Sequence, residues 1–562
     1  MPPGVDNWTR HRWSSVSTRE RTDLALPDTG CDGTGKAHYP SARHRRPTGR
    51  LSPMPPKPGD ILEVGIDRLA YGGQGIARID DFVLFVRGAL PGDRVRARVT
   101  RRKRNYAEAR VVDLLEPSPL RVESGCTSAA ECGGCEWRVL SYAAQLRFKQ
   151  EQVVESLAHI GGQHEGEPDG YVLEPIRGMK EPWRYRNKME FSCAEEDGRL
   201  LIGLHKRGSW REIVETDECR LASPQIEAAR AAVADACRGL GLRAYDRENR
   251  SRPPVVVEGE PSQTLGRGDL ARSRESEGDA PHDSRGEQAE QTDRGLLRHL
   301  VVRHGTASGD VVAHLFVAHG FPEVAELAAR VQASGTVTSF ALTVNDSPAD
   351  AAVGGPARML FGPPFFRETL AGVPLHVPLT AFLQTNSAMC GELYQTAVRC
   401  AGLRPEDHVW DLYCGLGSLS LLLARGAATV DAVEVQPEAI TAAKGNARLN
   451  KIANVHFHVG DVRKVLKGPP PPGHADVVVV DPPRAGLSRK ALARAAALGA
   501  RRFVYVSCNP TTLAGNAAEL DGLGYRLTRV APVDMFPHTH HIETVALFER
   551  RPEADAPPAP TD

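Results

Sequence analysis

The sequence predicts an α/β protein: a doubly wound parallel sheet toward the C-terminus, a small all-β unit toward the N-terminus, and a mixed α+β region between them. Three observations carry this. Across 382–550, apolar strand-like runs alternate with helical stretches. Across 57–116, short runs rich in β-branched and aromatic residues are broken by glycine turns. Residues 117–381 mix both patterns. The stretches 1–56, 246–295 and 551–562 are polar or Pro-rich, lack periodicity and read as disordered. Met54-Pro55-Pro56-Lys57 stands just before the first structured unit, so translation from Met54 is one expectation.

Composition sets limits. The chain has 562 residues, 41% hydrophobic and 25% charged, which suits several globular domains. Lys+Arg and Asp+Glu both number 70, so net charge points to no partner. No apolar run reaches the roughly 18 residues of a membrane helix, and the N-terminus lacks the apolar core of a secretory signal. The 11 cysteines are an odd number in a long chain. They suit a reducing compartment, with thiols used for metal or catalysis. A cytoplasmic monomer without membrane contact is expected.

In the first unit, Ile61–Val64 and Phe82–Val86 read as strands, with Gly72-Gly73 and Pro91-Gly92-Asp93 as turns. Arg94, Arg96 and Arg98 alternate with apolar residues, so they share one strand face. Followed by Arg101-Arg102-Lys103-Arg104, they read as a surface that tracks phosphates rather than a charge-guarded edge. Gly72–Ala77 and Val86–Asp93 resemble a TRAM domain, an oligonucleotide-binding (OB) type barrel of RNA-modifying enzymes.

In the C-terminal unit, Val409-Trp410-Asp411-Leu412 runs into Tyr413-Cys414-Gly415-Leu416-Gly417-Ser418 and the apolar helix Leu419–Leu423. Ser420 stands where a dinucleotide fingerprint has its third glycine, which counts against a pyrophosphate cofactor. The next strand ends in Glu434, placed to accept from ribose hydroxyls, and the third leads to Asp461, placed at an adenine edge. This is the layout of a Rossmann-like S-adenosylmethionine methyltransferase. The fourth strand ends in Asp481-Pro482-Pro483-Arg484. Amine methyltransferases carry an aromatic residue in the fourth position to stack on the base, and Arg484 cannot stack in that way. Asp481 is either a carboxylate that bonds the base or a turn acid capping a helix.

Cys508 follows the apolar strand Phe503–Ser507 and precedes Asn509-Pro510. A lone Cys is usually a core residue, but this one stands at a strand end, where open α/β sheets bind ligands. Uracil C5 is a poor nucleophile until a thiolate adds at C6, and a base must then remove the C5 proton. Cys508 supplies the thiol, and Glu543, in Met535–Glu543, the base. His538, His540 and His541 in that segment read as turn residues.

Together Phe382-Leu383-Gln384-Thr385-Asn386, Asp411–Gly417, Asp481–Gly486, Ser507-Cys508-Asn509-Pro510 and Met535–Glu543 resemble the RNA uracil-C5 methyltransferases. The similarity is to the iron–sulfur, TRAM-bearing branch that acts on 23S ribosomal RNA. It implies Cys508 as nucleophile and Glu543 as base. It also implies contacts to cofactor or base from Gln384, Tyr413, Ser418, Glu434, Asp461 and Asp481, with RNA as partner and a central RNA-binding domain. Transfer RNA as substrate, or an RNA-binding protein with an inactive methyltransferase fold, are the alternatives.

Cys126-x5-Cys132-x2-Cys135 gathers three thiols around Gly133-Gly134. Spacing alone fits zinc or an iron–sulfur cluster. The resemblance implies a [4Fe–4S] cluster with Cys219 as fourth ligand, leaving Cys193 and Cys237 to packing. Trp183-Arg184-Tyr185-Arg186-Asn187-Lys188 interleaves aromatic and basic residues, which suits stacking on an RNA loop.

Overall fold

The computed structural model describes residues 56–552, except 81, 167, 217, 247–294, 348–350, 353 and 468–474. The Met54 start, nearly all of 1–56 and 246–295, and most of the 551–562 tail lie outside the described residues.

The first sheet has six strands: β1 (Ile61–Gly65), β2 (Arg68–Leu69), β3 (Gly75–Ile79), β4 (Phe82–Arg87), β5 (Arg94–Arg102) and β6 (Tyr106–Glu116). Their order is β1-β5-β6-β4-β3-β2. Val95, Ala97 and Val99 of β5 point into the apolar core with Leu84 and Val86, and the arginines between them face out.

Helix α1 (Tyr142–His159) follows, then the short strand β7 (Val172–Leu173). A second sheet comprises β8 (Lys188–Glu196), β9 (Arg199–His205), β10 (Ile213–Val214), β11 (Leu297–His304), β12 (Val311–Val317), β13 (Ser339–Val344) and β14 (Arg358–Phe361). Helices α2 (Pro224–Gly239) and α3 (Val324–Ala333) pack on it through Ile226, Val233 and Leu327. Ser223 caps α2, its side chain accepting from Ile226 N. A hairpin, β15 (Phe365–Leu370) and β16 (Val373–Pro378), leads to α4 (Ser387–Ala401), capped by Asn386.

The last sheet sets the site. It contains β17 (His408–Leu412), β18 (Thr429–Glu434), β19 (Val455–Val459), β20 (Val477–Val480), β21 (Arg502–Ser507), β22 (Tyr525–Val533) and β23 (Glu543–Arg550). Its order is β19-β18-β17-β20-β21-β23-β22-β7. Its helices are α5 (Ser418–Leu423), α6 (Pro437–Leu449), α7 (Val462–Val465), α8 (Arg489–Ala496) and α9 (Pro510–Gly522). The Val477–Val480 run is wholly buried, as a strand covered on both faces requires. β17 to β21 run parallel, whereas β23 is antiparallel to β21. That reversal brings the start of β23 to the edge where the parallel strands end. Because Ser507 lies opposite Thr544, Cys508, just past β21, stands beside Glu543 at the start of β23. No helix among the described residues is long and apolar enough to cross a membrane.

Candidate active site

Cys508 is half-buried between β21 and α9. Asn509 fixes it there: its side chain accepts from Thr511 N at 3.1 Å and donates to the Arg484 carbonyl at 3.2 Å. Burial, then the charges of Glu543 and Asp481, push the Cys508 thiol up to about 11, with Arg484 opposing. Glu543 is buried, and burial with the charge of Asp481 raises it well above the carboxylate range. Its carboxylate has no hydrogen-bond partner among the described residues. Asp481 is half-buried and pushed up to about 7 by burial and by Asp411. The two acids and the thiol thus share one poorly solvated region and titrate together, with the exposed Arg484 as the opposing charge.

Beside this region, two turns shape the ends of β17 and β18. Tyr413 (φ 70°) and Gly415 (φ 54°) bend the chain off β17, and Gly417 (φ 83°) starts α5. A Cβ on Gly417 would meet Ala443 at 3.0 Å. Glu434, at the end of β18, accepts from Gly415 N at 3.2 Å and Gln436 N at 2.9 Å. Burial, then the charges of Asp461 and Glu434, raise the Tyr413 phenol, with Arg463 opposing. Arg463 binds both carboxylate oxygens of Asp461 at 2.9 Å and holds it down near about 2. Gln384 is buried, and its side-chain amide has no hydrogen-bond partner among the described residues. Ser418 is also buried, with its hydroxyl 3.4 Å from the Tyr394 hydroxyl. Ser420, noted in the sequence only for replacing a glycine, donates to the buried Asp411 at 2.5 Å. It satisfies a carboxyl that burial pushes up to about 6.

The segment carrying Glu543 is clamped from other parts of the chain. Lys149 of α1 meets Asp534 at 2.6 Å with both side chains fully buried, and it donates to the Phe536 carbonyl at 3.0 Å. Tyr142 donates to Asp534 at 2.9 Å, and Asn386 to the Met535 carbonyl at 3.0 Å. Trp183 stacks on His538 with centroids 3.6 Å apart, Arg220 lies 4.6 Å from the Trp183 ring, and buried Tyr185 donates to the Pro537 carbonyl. This corrects the sequence reading of 183–188. Its aromatics are committed to holding the loop, and only Lys188 enters a strand. The histidines are separately engaged: His538 with Gln145 at 3.1 Å, His540 with Glu136 at 3.0 Å, His541 with Arg484 at 2.8 Å.

Cys126, Cys132, Cys135 and Cys219 line one cavity of about 450 Å³. Arg138, Arg186 and Arg220 line it too, and Arg138 donates to the Cys135 carbonyl at 2.7 Å. Burial and the neighbouring Cys219 push the Cys135 thiol up to about 12. Among the described residues no group of three or more His, Cys, Asp or Glu stands ready-made in metal-holding geometry. Cys193 and Cys237 are buried away from this cavity.

On the barrel, Arg94 pairs with Glu63 and Glu116, and Arg96 with Asp113 at 2.8 Å, so two of the β5 arginines are neutralised locally. Register instead aligns Arg98 with Arg110 and Arg110 with Arg87. Like charges set side by side cost stability, and an anion lying along the row would offset that cost. Strand alternation hinted at the β5 face, but this row depends on pairing across three strands. Sequence reasoning also missed Tyr71. It lies in the turn between β2 and β3, yet its phenol is raised by burial first and then feels the charges of Arg484, Cys508 and Glu543.

The TRAM domain model matches residues 55–112, and the tRNA (uracil-5-)-methyltransferase model matches 375–460 and 474–551. An uncharacterised RNA methyltransferase of Halalkalibacterium halodurans is 36% identical over 498 residues, 88% of this chain and 98% of its own. One from Porphyromonas gingivalis is 34% identical, covering 87% of this chain and 100% of its own. The crystal structure of Pyrococcus abyssi tRNA (uracil-54, C5)-methyltransferase, in complex with S-adenosyl-L-homocysteine, superposes with a TM-score of 0.63 at 25% identity. It covers 87% of this chain and 100% of that one. With its methyltransferase sheet and its TRAM barrel, this chain belongs to the tRNA (uracil-5-)-methyltransferase family of S-adenosylmethionine-dependent RNA methyltransferases.

Proposed function

We propose that the protein methylates C5 of a uridine in a structured RNA through a covalent adduct between Cys508 and uracil C6. The observation that carries this reading is the register of β21 on β23, which sets Cys508 beside Glu543. When bound, the cofactor supplies an electrophilic methyl group on a sulfonium. Gly415, Gly417, Glu434 and Tyr413 would form its cradle, with Gln384 and the Arg463-paired Asp461 at its rim. The target base must leave its stack to reach the pocket. Phe382, 74% exposed two residues before Gln384, offers a face for a splayed base.

Cys508 loses its proton to solvent, and its thiolate adds to C6. Electron density moves to C5, which forms a bond to the methyl carbon as the methyl–sulfur bond breaks. The Glu543 carboxylate takes the C5 proton, the C6–S bond breaks, and the thiolate is restored. The environment that raises Glu543 makes it a stronger base than a solvated carboxylate. Asp481 is placed to bond the base, and Arg484 offsets the charge of the two acids. The row Arg87–Arg110–Arg98 serves the RNA backbone.

The substrate reading is 23S ribosomal RNA, supported by the motifs shared with the iron–sulfur branch and by the cavity holding all four thiols. Transfer RNA is the second reading, favoured by the Pyrococcus abyssi protein. Mapping 5-methyluridine in cells lacking the protein tests both. Loss of one 23S modification is expected. Loss confined to transfer RNA moves the assignment to the second reading, and no loss in any RNA overturns both.

For the thiol cavity the reading is a [4Fe–4S] cluster on Cys126, Cys132, Cys135 and Cys219. The donor set and the cationic lining fit it, because binding turns thiols into thiolates whose charge the arginines offset. Protein purified without oxygen should carry about four iron and about four sulfide per chain. Stoichiometric zinc without sulfide would overturn the assignment.

A further inference from the structure

The barrel does more than face RNA with arginines. Its turn Ala70-Tyr71-Gly72-Gly73-Gln74 is closed by Ala70 N to Gln74 O at 2.8 Å and Gly73 N to Ala70 O at 3.0 Å. Gly72 and Gly73 have φ of 95° and 84°. The turn is locked onto the catalytic unit. Gln152 of α1 donates to the Ala70 carbonyl at 3.2 Å. A Cβ on Gly73 would lie 3.0 Å from Trp137 Nε1, 3.2 Å from His540 Cβ and 3.3 Å from a Glu136 carboxylate oxygen. Only a glycine lets the turn approach the loop that leads to Glu543 so closely. Beneath it, Leu69 and Leu90 of the barrel share a buried cluster with Trp137, Leu140 and Phe148. Half-buried Tyr71 projects from this anchored turn, within electrostatic reach of Cys508, Glu543 and Arg484.

We propose that this turn is the outer wall of the catalytic pocket and that Tyr71 is a positioning residue whose ring covers the target uracil between Cys508 and Glu543. An aromatic face there would hold the extruded base in line with the thiolate and exclude water. The barrel then acts in catalysis as well as in RNA capture, and barrel docking completes the site. The proposal rests on the uracil-C5 reading of that site.

The test uses the full-length protein with 5-fluorouridine RNA and S-adenosylmethionine. Trapping by the wild type is the control, and its absence would sink the uracil-C5 reading rather than this one. With wild-type trapping in hand, Tyr71→Ala should lower the trapping rate and kcat by about 10–100-fold. RNA affinity at fixed salt and the Tm should hold, affinity within about threefold. Tyr71→Phe, which keeps the ring, should stay within about threefold of wild type in rate. Tyr71→Leu, which keeps bulk without an aromatic face, should fall with Tyr71→Ala and stands in for it should that variant fail to fold. Unchanged trapping in Tyr71→Ala, or in Tyr71→Leu, overturns the proposal. So does a loss in Tyr71→Phe equal to that in Tyr71→Ala, which would assign the role to the hydroxyl.

Discussion

Cys508→Ala is expected to lose methylation by about 10⁴-fold or more and to form no covalent complex with 5-fluorouridine RNA. The wild type should accumulate that complex, because fluorine at C5 cannot leave as a proton. The half-buried thiol caps no helix and carries no part of the core, so the variant should keep its fold and its RNA affinity. The electrostatics add a pH signature. Burial and the charges of Glu543 and Asp481 hold the thiol near about 11. In the free protein the thiolate is then about one part in 10⁴ at pH 7, growing about tenfold per pH unit. Alkylation of Cys508 by iodoacetamide, read by mass spectrometry, should therefore be slow at pH 7 and steepen through pH 9. Fast labelling at pH 7 would show that burial and the two acids do not hold the thiol protonated. A wild type that traps no fluorinated RNA at any pH would end the thiolate mechanism.

Cys219 came only through the family resemblance, whereas Cys508, Glu543 and the trio Cys126, Cys132 and Cys135 drew attention because each stands in a short local motif. The parallel sheet was legible for the same reason, from runs such as Val477–Val480. Tyr71 and Lys149 were not. Tyr71 reaches the pocket only because the barrel docks on α1, and Lys149 meets Asp534 across 385 residues of sequence. Neither pairing leaves a periodic trace. The segment 183–188 failed for another reason. Alternating aromatic and basic residues look alike whether they face RNA or grip an internal loop, and the partner decides. Here the partners are His538 and the Pro537 carbonyl. The arginine face was half legible: alternation found Arg94, Arg96 and Arg98, but cross-strand acids neutralise the first two. Charge is read by the sheet, not by the strand.

Glu543→Gln is expected to lower kcat by about 10²–10⁴-fold while leaving the first half of the reaction intact. On ordinary uridine RNA, methylated product should then remain joined to Cys508 and appear as a denaturant-resistant complex. Wild-type turnover should rise with pH on its acid limb, since Glu543 gains its carboxylate form only as pH climbs through a value raised well above the usual range. The same shift fixes the sign of the stability effect. A carboxyl whose folded value exceeds its unfolded one stabilises the fold at acid pH, below the unfolded value. That contribution is lost as pH rises through the folded value. Gln cannot ionise, so the variant escapes the loss. Its Tm relative to wild type should be higher at pH 8 than at pH 4. A structural carboxylate would behave in the opposite way, because its removal would lower Tm most where it is charged. A variant whose Tm relative to wild type is lower at pH 8 than at pH 4, and that also retains no RNA, would reassign Glu543 from base to scaffold. Higher stability with a trapped intermediate is the combination expected of a group held in an unfavourable environment for the sake of its basicity.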